Sequence, residues 1–170
     1  DNTVSEIKSI KNSKVNLIEN PDRKGIARGL NQIIEGASSD ILVTIDADIR
    51  IVNKNFIKKL ISPISENRAD ITSSSIHEII PETYVAKVLK TSMELKEVLF
   101  GVFKNGNNIY NCHGLARAYS KKYYTNLHIP VSIGNDMYTY LFALQRNYRF
   151  EYVPNAKALY KLPENISDHT

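Results

Sequence analysis

Residues 41–48 read Ile41-Leu42-Val43-Thr44-Ile45-Asp46-Ala47-Asp48. An uncharged, mostly aliphatic run ends abruptly in two carboxylates. A strand buried on both faces has this composition, and such strands belong to sheets covered by helices. In extended backbone, residues i and i+2 point to the same side, so Asp46 and Asp48 can converge on one ligand. Hard divalent cations such as Mg²⁺ or Mn²⁺ bind through one or two carboxylates plus phosphate oxygens. A cation held there would offset the charge of a diphosphate leaving group. The bland alternative is a solvated turn, where Asp is common. A lone Asp-x-Asp is a weak signal; its position favours the ligand reading over the turn, because α/β sheets bind ligands beyond the carboxyl ends of their strands.

Outward from this run, strand-like and helical patterns alternate. Thr3 and Glu6 have capping-box spacing ahead of Val4, Ile7 and Ile10 on one stripe. Val15–Ile18 reads as a short strand, and Asn20-Pro21-Asp22 as a turn. Ile26–Gly36 has helical spacing, broken by Ser38-Ser39-Asp40. Beyond the acidic pair, Asn53 or Asn55 can cap a helix over Phe56–Glu66 that presents Phe56, Leu60 and Ile64. Ile71–Ile76 predicts a strand, and a longer helix follows Pro81. Gly106-Asn107-Asn108 is a loop, Gly114–Tyr119 a strand and Met137–Gln145 a helix. Phe150–Val153 and Ala156–Tyr160 read as two short strands around Pro154-Asn155. The expected architecture is α/β: a mostly parallel, mixed sheet flanked by helices. The chain opens on a helix rather than a strand, so either the sheet is completed differently or a first strand is absent.

Composition narrows the classes. The 170 residues suit one domain with a real core. Hydrophobic residues make up 42%, which argues against disorder. A lone Cys112 excludes an internal disulfide and a multi-cysteine zinc site. No run approaches the roughly 20 apolar residues of a membrane span. The net charge of +4 suits an anionic partner. The basic residues are neither clustered nor interleaved with aromatics, so no nucleic-acid partner is expected.

Three further features bear on chemistry. Lys24-Gly25 precedes a helix whose N-terminus favours anions, and Gly25 permits close backbone approach. Its spacing matches neither a P-loop nor Gly-x-Gly-x-x-Gly, so alone it reads as a turn and a surface helix. Gly134-Asn135-Asp136 opens a helix. Asp136 there is by default a cap, and alternatively a base that takes a proton from an attacking hydroxyl. His113 beside Cys112 has no second Cys or His at ligand spacing and reads as a packed or surface histidine. Asn165-Ile166-Ser167 is a chance glycosylation sequon.

In combination these segments resemble the family 2 inverting glycosyltransferases of the Rossmann-like nucleotide-diphospho-sugar transferase (GT-A) fold. Lys24-Gly25 with Leu30-Asn31, the Ile41–Asp48 strand, Gly114 through Tyr119-Ser120-Lys121, and Asn135-Asp136 followed by Tyr148–Ala156 fall in that family's order. The resemblance covers roughly residues 15–163, slightly favouring the polysaccharide-synthase branch. It implies that Asp48 coordinates Mg²⁺ or Mn²⁺ on the donor diphosphate, and that Asp46 contacts ribose, sugar or metal. Lys24, Gly25 and Asn31 would lie near the donor, with Gly114 and Asn135 on the acceptor side. Asp136 becomes the general base. The expected substrates are a nucleotide-diphosphate sugar and a glycan or lipid-linked acceptor. The expected location is cytoplasmic, with peripheral contact at the membrane's inner face.

The sequence departs from the family at Asn135, which replaces the usual Glu, and at Arg146-Asn147-Tyr148, which lacks the usual Gly. The family's opening strand, helix and strand have no counterpart before Asp1, and its Gln-x-x-Arg-Trp motif would fall after Leu162-Pro163. The expectation is a single domain or fragment over 1–170, about 1–50 facing the donor and 51–170 the acceptor. A non-catalytic sugar- or protein-binding domain is the alternative. A haloacid-dehalogenase-type phosphatase ranks lower, because Ile49-Arg50 follows the acidic pair where that family has Gly-Thr.

Overall fold

A computed structural model describes residues 2–20, 22, 25–80 and 82–163. In chain order the elements are α1 (Thr3–Ser9), α2 (Ile26–Gly36), β1 (Ile41–Ile45), β2 (Arg50–Ile51), α3 (Phe56–Ser65), β3 (Ile71–Glu78) and α4 (Tyr84–Val102). Two 3₁₀ turns follow, Phe103–Gly106 and Ile109–Asn111, and then β4 (Ala116–Ser120), α5 (Lys121–Tyr124), α6 (Asn135–Gln145) and β5 (Phe150–Tyr160).

The five strands form one sheet in the order β1-β4-β3-β5-β2. It is mixed, as expected, but its parallel share is smaller. Only β3 and β5 run parallel, whereas β1/β4, β3/β4 and β2/β5 are antiparallel. The direction of β4 accounts for two of these pairs, since it returns between β1 and β3 against both. Hydrophobic alternation marks strands without revealing their direction.

Side chains alternate across the sheet and feed two cores. On one face Leu42, Ile71 and Tyr119 pack with α2, α5 and α6 through Ala27, Ile34, Tyr123 and Phe142. On the other, Ile41, Val43, Ala116, Ala118 and Ala158 pack under Phe56, Leu60 and Ile64 of α3. The alanines leave room for α3 to lie close, and buried Thr72 donates its hydroxyl to the Leu60 carbonyl at 2.7 Å. β1 thus packs partly buried side chains on both faces, in keeping with its aliphatic composition.

Several local expectations are corrected. Residues 15–18 form no strand; Val15 and Ile18 are exposed and pair with nothing in the sheet. The Thr3/Glu6 capping box is not formed, since Asn2 is the N-cap and makes no side-chain cap bond. Gly114 precedes β4 rather than opening it, and Gly106 belongs to a 3₁₀ turn. The two closing strands are one, β5. Its register against β3 jumps from Ser74↔Val153 to Ser75↔Lys157, so Pro154-Asn155-Ala156 bulges out. A proline has no N–H for the ladder, and the bulge places it where none is needed. β2 is a two-residue strand that no periodicity could announce.

Candidate functional site

The site is assembled where β1 ends and β4 begins. Because the two strands are antiparallel, with Ile45 opposite Ala116, these ends lie side by side. The Asp46 N–H extends the ladder by donating to the Leu115 carbonyl at 2.9 Å. The chain then turns, with the Ile49 N–H on the Asp46 carbonyl at 3.2 Å. Asp46 is half-buried and Asp48 exposed. Neither forms an ion pair among the described residues.

The third carboxylate arrives on α6. Its N-cap is Gly134, not Asp136. Asp136 stands in the first turn and reaches sideways to Arg117 rather than capping. Arg117 is fully buried although it lies in a strand between two alanines. Its guanidinium donates to the His113 carbonyl at 2.6 Å, to Thr139 Oγ1 and to Asp136 Oδ1. A buried guanidinium needs this set of acceptors, and Asp136 supplies the countercharge. Asp136 keeps about half of its side chain exposed, at 49%. Its Oδ2 makes no hydrogen bond among the described residues.

Electrostatics confirm that these groups share one space. Burial raises the Asp46 carboxyl above its ordinary range, and the carboxylates of Asp48 and Asp136 raise it further, while Arg117 pulls it down. Arg117 offsets part of this charge, and a cation would offset the negative charge that remains. The donor set is all oxygen and fits Mg²⁺ or Mn²⁺, which would be completed by phosphate and water. Among the described residues no group of three or more His, Cys, Asp or Glu side chains could hold a metal ion on its own.

Gly114 passes directly beside Asp136. A Cβ at this position would stand 2.4 Å from Asp136 Oδ1, 3.0 Å from the Arg117 guanidinium and 3.3 Å from the Asn135 amide. Asp46, Asp48, Gly114, Asn135 and Asp136 are therefore brought together. Gly25 adopts φ 78° as the N-cap of α2, in open surroundings. Asn31 is buried and clamps the Ile129 backbone with both ends of its amide, at 2.9 Å each. Lys24 lies outside the described residues. Cys112 is buried, and burial pushes its thiol up to about 11, so the thiol is unreactive. Arg117 is the functional residue that the sequence reading missed. Its signal was an arginine in a small-residue strand, where a charge is almost never buried without a partner.

The profile of glycosyl transferase family 2 matches residues 1–127, about three quarters of the chain. The chain belongs to glycosyl transferase family 2. The matched part contains Asp46, Asp48, Gly114 and Arg117, and Asp136 lies beyond it. No curated protein sequence matches the chain. Among solved structures, a mannosyltransferase from Pyrobaculum calidifontis in complex with GDP-Man and Mn²⁺ superposes with a TM-score of 0.68 at 17% identity. It covers 98% of this chain and 46% of its own. The glucosyl-3-phosphoglycerate synthase of Mycobacterium tuberculosis, solved with Mn²⁺, UDP and phosphoglyceric acid, gives 0.58 at 16% identity, covering 88% and 50%. These likenesses show the nucleotide-sugar transferase (GT-A) fold, and the family 2 chain spans about half the length of these structures. The phosphatase reading drops out with this family assignment.

Proposed function

We propose that the chain carries the reaction centre of an inverting glycosyltransferase that uses a nucleotide-diphosphate sugar. The observation carrying this reading is the convergence of Asp46, Asp48 and the Arg117-anchored Asp136 at the carboxyl end of β1. Asp48 and Asp46 would hold Mg²⁺ or Mn²⁺ against the donor diphosphate, where the cation neutralises charge on the leaving group. The Mn²⁺ in both solved relatives supports this choice. Lys24, Gly25 and the α2 N-terminus would face the donor, with Asn31 holding α2 in place.

Asp136 acts as general base. Arg117 fixes Oδ1, so Oδ2 is presented to the acceptor hydroxyl at a defined angle. The hydroxyl oxygen attacks the anomeric carbon from the face opposite the diphosphate. The new C–O bond forms as the bond to the diphosphate oxygen breaks, and the hydroxyl proton passes to Asp136 Oδ2. Configuration at the anomeric carbon inverts. Gly114 and Asn135 border the path of the acceptor. The reading extends to a cytoplasmic protein that meets a glycan or lipid-linked acceptor at the membrane's inner face. Cell fractionation checks that location. No helix among the described residues is long and apolar enough to cross a membrane.

The test is turnover of UDP- and GDP-sugars with Mn²⁺ by the wild type and by Asp136→Asn, with NMR of the product. The expected result is an inverted anomeric centre and a loss of about 10²–10⁴-fold in the variant. A retained configuration, or full activity in Asp136→Asn, would overturn the mechanism. Binding of sugars without turnover in a longer chain would favour the non-catalytic alternative.

A further inference from the structure

A cavity of about 350 Å³ lies between α4 and the sheet. This is within the roughly 300–1,000 Å³ range of small-molecule sites. Its floor is His113 and Leu115, the residues on either side of Gly114. The Leu115 carbonyl receives the Asp46 N–H, and Gly114 abuts the Asp136 carboxylate. The cavity therefore adjoins the reaction centre across the 113–115 segment.

Its chemistry is aromatic and acidic. Tyr110 stacks on Phe100 with centroids 4.1 Å apart, and Tyr152 and Tyr160 line the opposite strand. Tyr160 is hydrogen-bonded to Glu78, and burial with that neighbour pushes its phenol up to about 12. Glu97 faces His77 Nδ1 at 3.6 Å. Two carboxylates, Glu78 and Glu97, stand against the single ammonium of Lys96 in the lining.

His113 adds an orphaned atom. Its Nε2 lies 2.9 Å from the Ser74 carbonyl, which can only accept, so Nε2 carries the proton. Nδ1 is then a bare acceptor, and it is buried with no partner. Burial and the Arg117 charge hold this imidazole down to about 4, so it stays neutral at physiological pH. Nδ1 is sealed from solvent and does not face the cavity, so His113 contributes an uncharged ring to the wall.

Resting on the transferase reading above, we propose that this cavity seats an uncharged sugar ring of the acceptor. The C–H face of a pyranose lies against the electron-rich faces of aromatic rings. Its hydroxyls donate to the two glutamates. An acceptor bearing phosphate or carboxylate meets like charge at Glu78 and Glu97 and is disfavoured. In this respect the chain differs from a transferase that acts on phosphoglycerate.

The experiment is an NMR titration of the ring-labelled tyrosines with methyl α-D-mannopyranoside, methyl β-D-glucopyranoside and 3-phosphoglycerate. The same samples are titrated with UDP and GDP plus Mn²⁺. The expected result is saturable shifts at Tyr110, Tyr152 and Tyr160 with at least one glycoside, and none with 3-phosphoglycerate. Tyr110→Ala should weaken glycoside binding roughly fivefold to tenfold. Glu97→Gln should weaken it severalfold, and both exposed substitutions should leave the thermal melt unchanged. Tighter binding of 3-phosphoglycerate, or no glycoside response at these tyrosines, overturns the proposal. Nucleotide binding without glycoside binding sinks only this cavity's role; glycoside binding without nucleotide binding sinks only the transferase reading.

Discussion

Asp46 is held in a strained electrostatic position, with its carboxyl raised first by burial and then by Asp48 and Asp136. A folded-state pKa above the unfolded one means that the charged form is disfavoured in the folded protein. The penalty is present at neutral pH and fades as pH falls through the raised value. Asp46→Asn removes it, so without metal the variant should melt roughly 1–3 °C higher than wild type near neutral pH, while losing cation-dependent nucleotide binding. A lower melting temperature in calorimetry would contradict this. Mn²⁺ must displace the proton that Asp46 tends to keep. Its apparent affinity should therefore begin to decline at a higher pH than an ordinary carboxylate would allow. At Asp136 the two roles separate. Asp136→Ala strands a buried guanidinium and should cost about 2–3 kcal/mol by urea unfolding, since the carboxylate end of the pair is half-exposed. Asp136→Asn keeps an oxygen for Arg117 and should cost less stability while losing the base. Gly114→Ala should lower the melt and reduce turnover about 10²-fold, because its methyl must displace the Asp136 carboxylate that pairs with buried Arg117.

Among the elements, β1 was legible because its aliphatic run and acidic end carry both burial and chemistry in eight consecutive residues. α2 and α3 were equally legible, each with one apolar stripe and a clear break. What the residues did not show was direction and partnership. β4 is antiparallel to both neighbours, and this alone brings the Gly114 segment beside Asp46. The helix-opening Asp136 looked like a cap because its partner Arg117 is 19 positions away. The resemblance to a family, not the local pattern, marked it as a base. Residues 15–18 looked like a strand by β-propensity alone, and propensity without a neighbour makes no sheet. β3 and β5 are joined at their starts by buried Asp70. It takes the Arg149 N–H at 2.8 Å and faces Lys122 at 2.9 Å. Burial pushes its carboxyl up, but these donors and the Arg149 guanidinium outweigh burial and hold it below the usual range. Its contribution is complete above the unfolded pKa and is lost as pH falls through the lower folded value. Acid unfolding should therefore begin below about pH 4 and be less steep in Asp70→Asn, which circular dichroism would show. An unchanged acid limb would remove Asp70 from the account.

At the scale of the molecule, a chain with net charge +4 concentrates three carboxylates at one end of its sheet. That local reversal of sign is what a cation bridging to an anionic donor requires, while the basic remainder favours the approach of a diphosphate. The chain covers 46% to 55% of three solved structures with the same fold, and Asp46, Asp48 and Asp136 all lie among the described residues. The central claim is that Asp46 and Asp48 hold a cation on a nucleotide diphosphate beside Asp136. The measurement that meets it most directly is calorimetric titration with UDP and GDP, with and without Mn²⁺, on wild type and Asp48→Ala. Binding that needs Mn²⁺ and disappears in Asp48→Ala is the predicted result. Binding that is indifferent to the metal or survives the substitution would contradict the account.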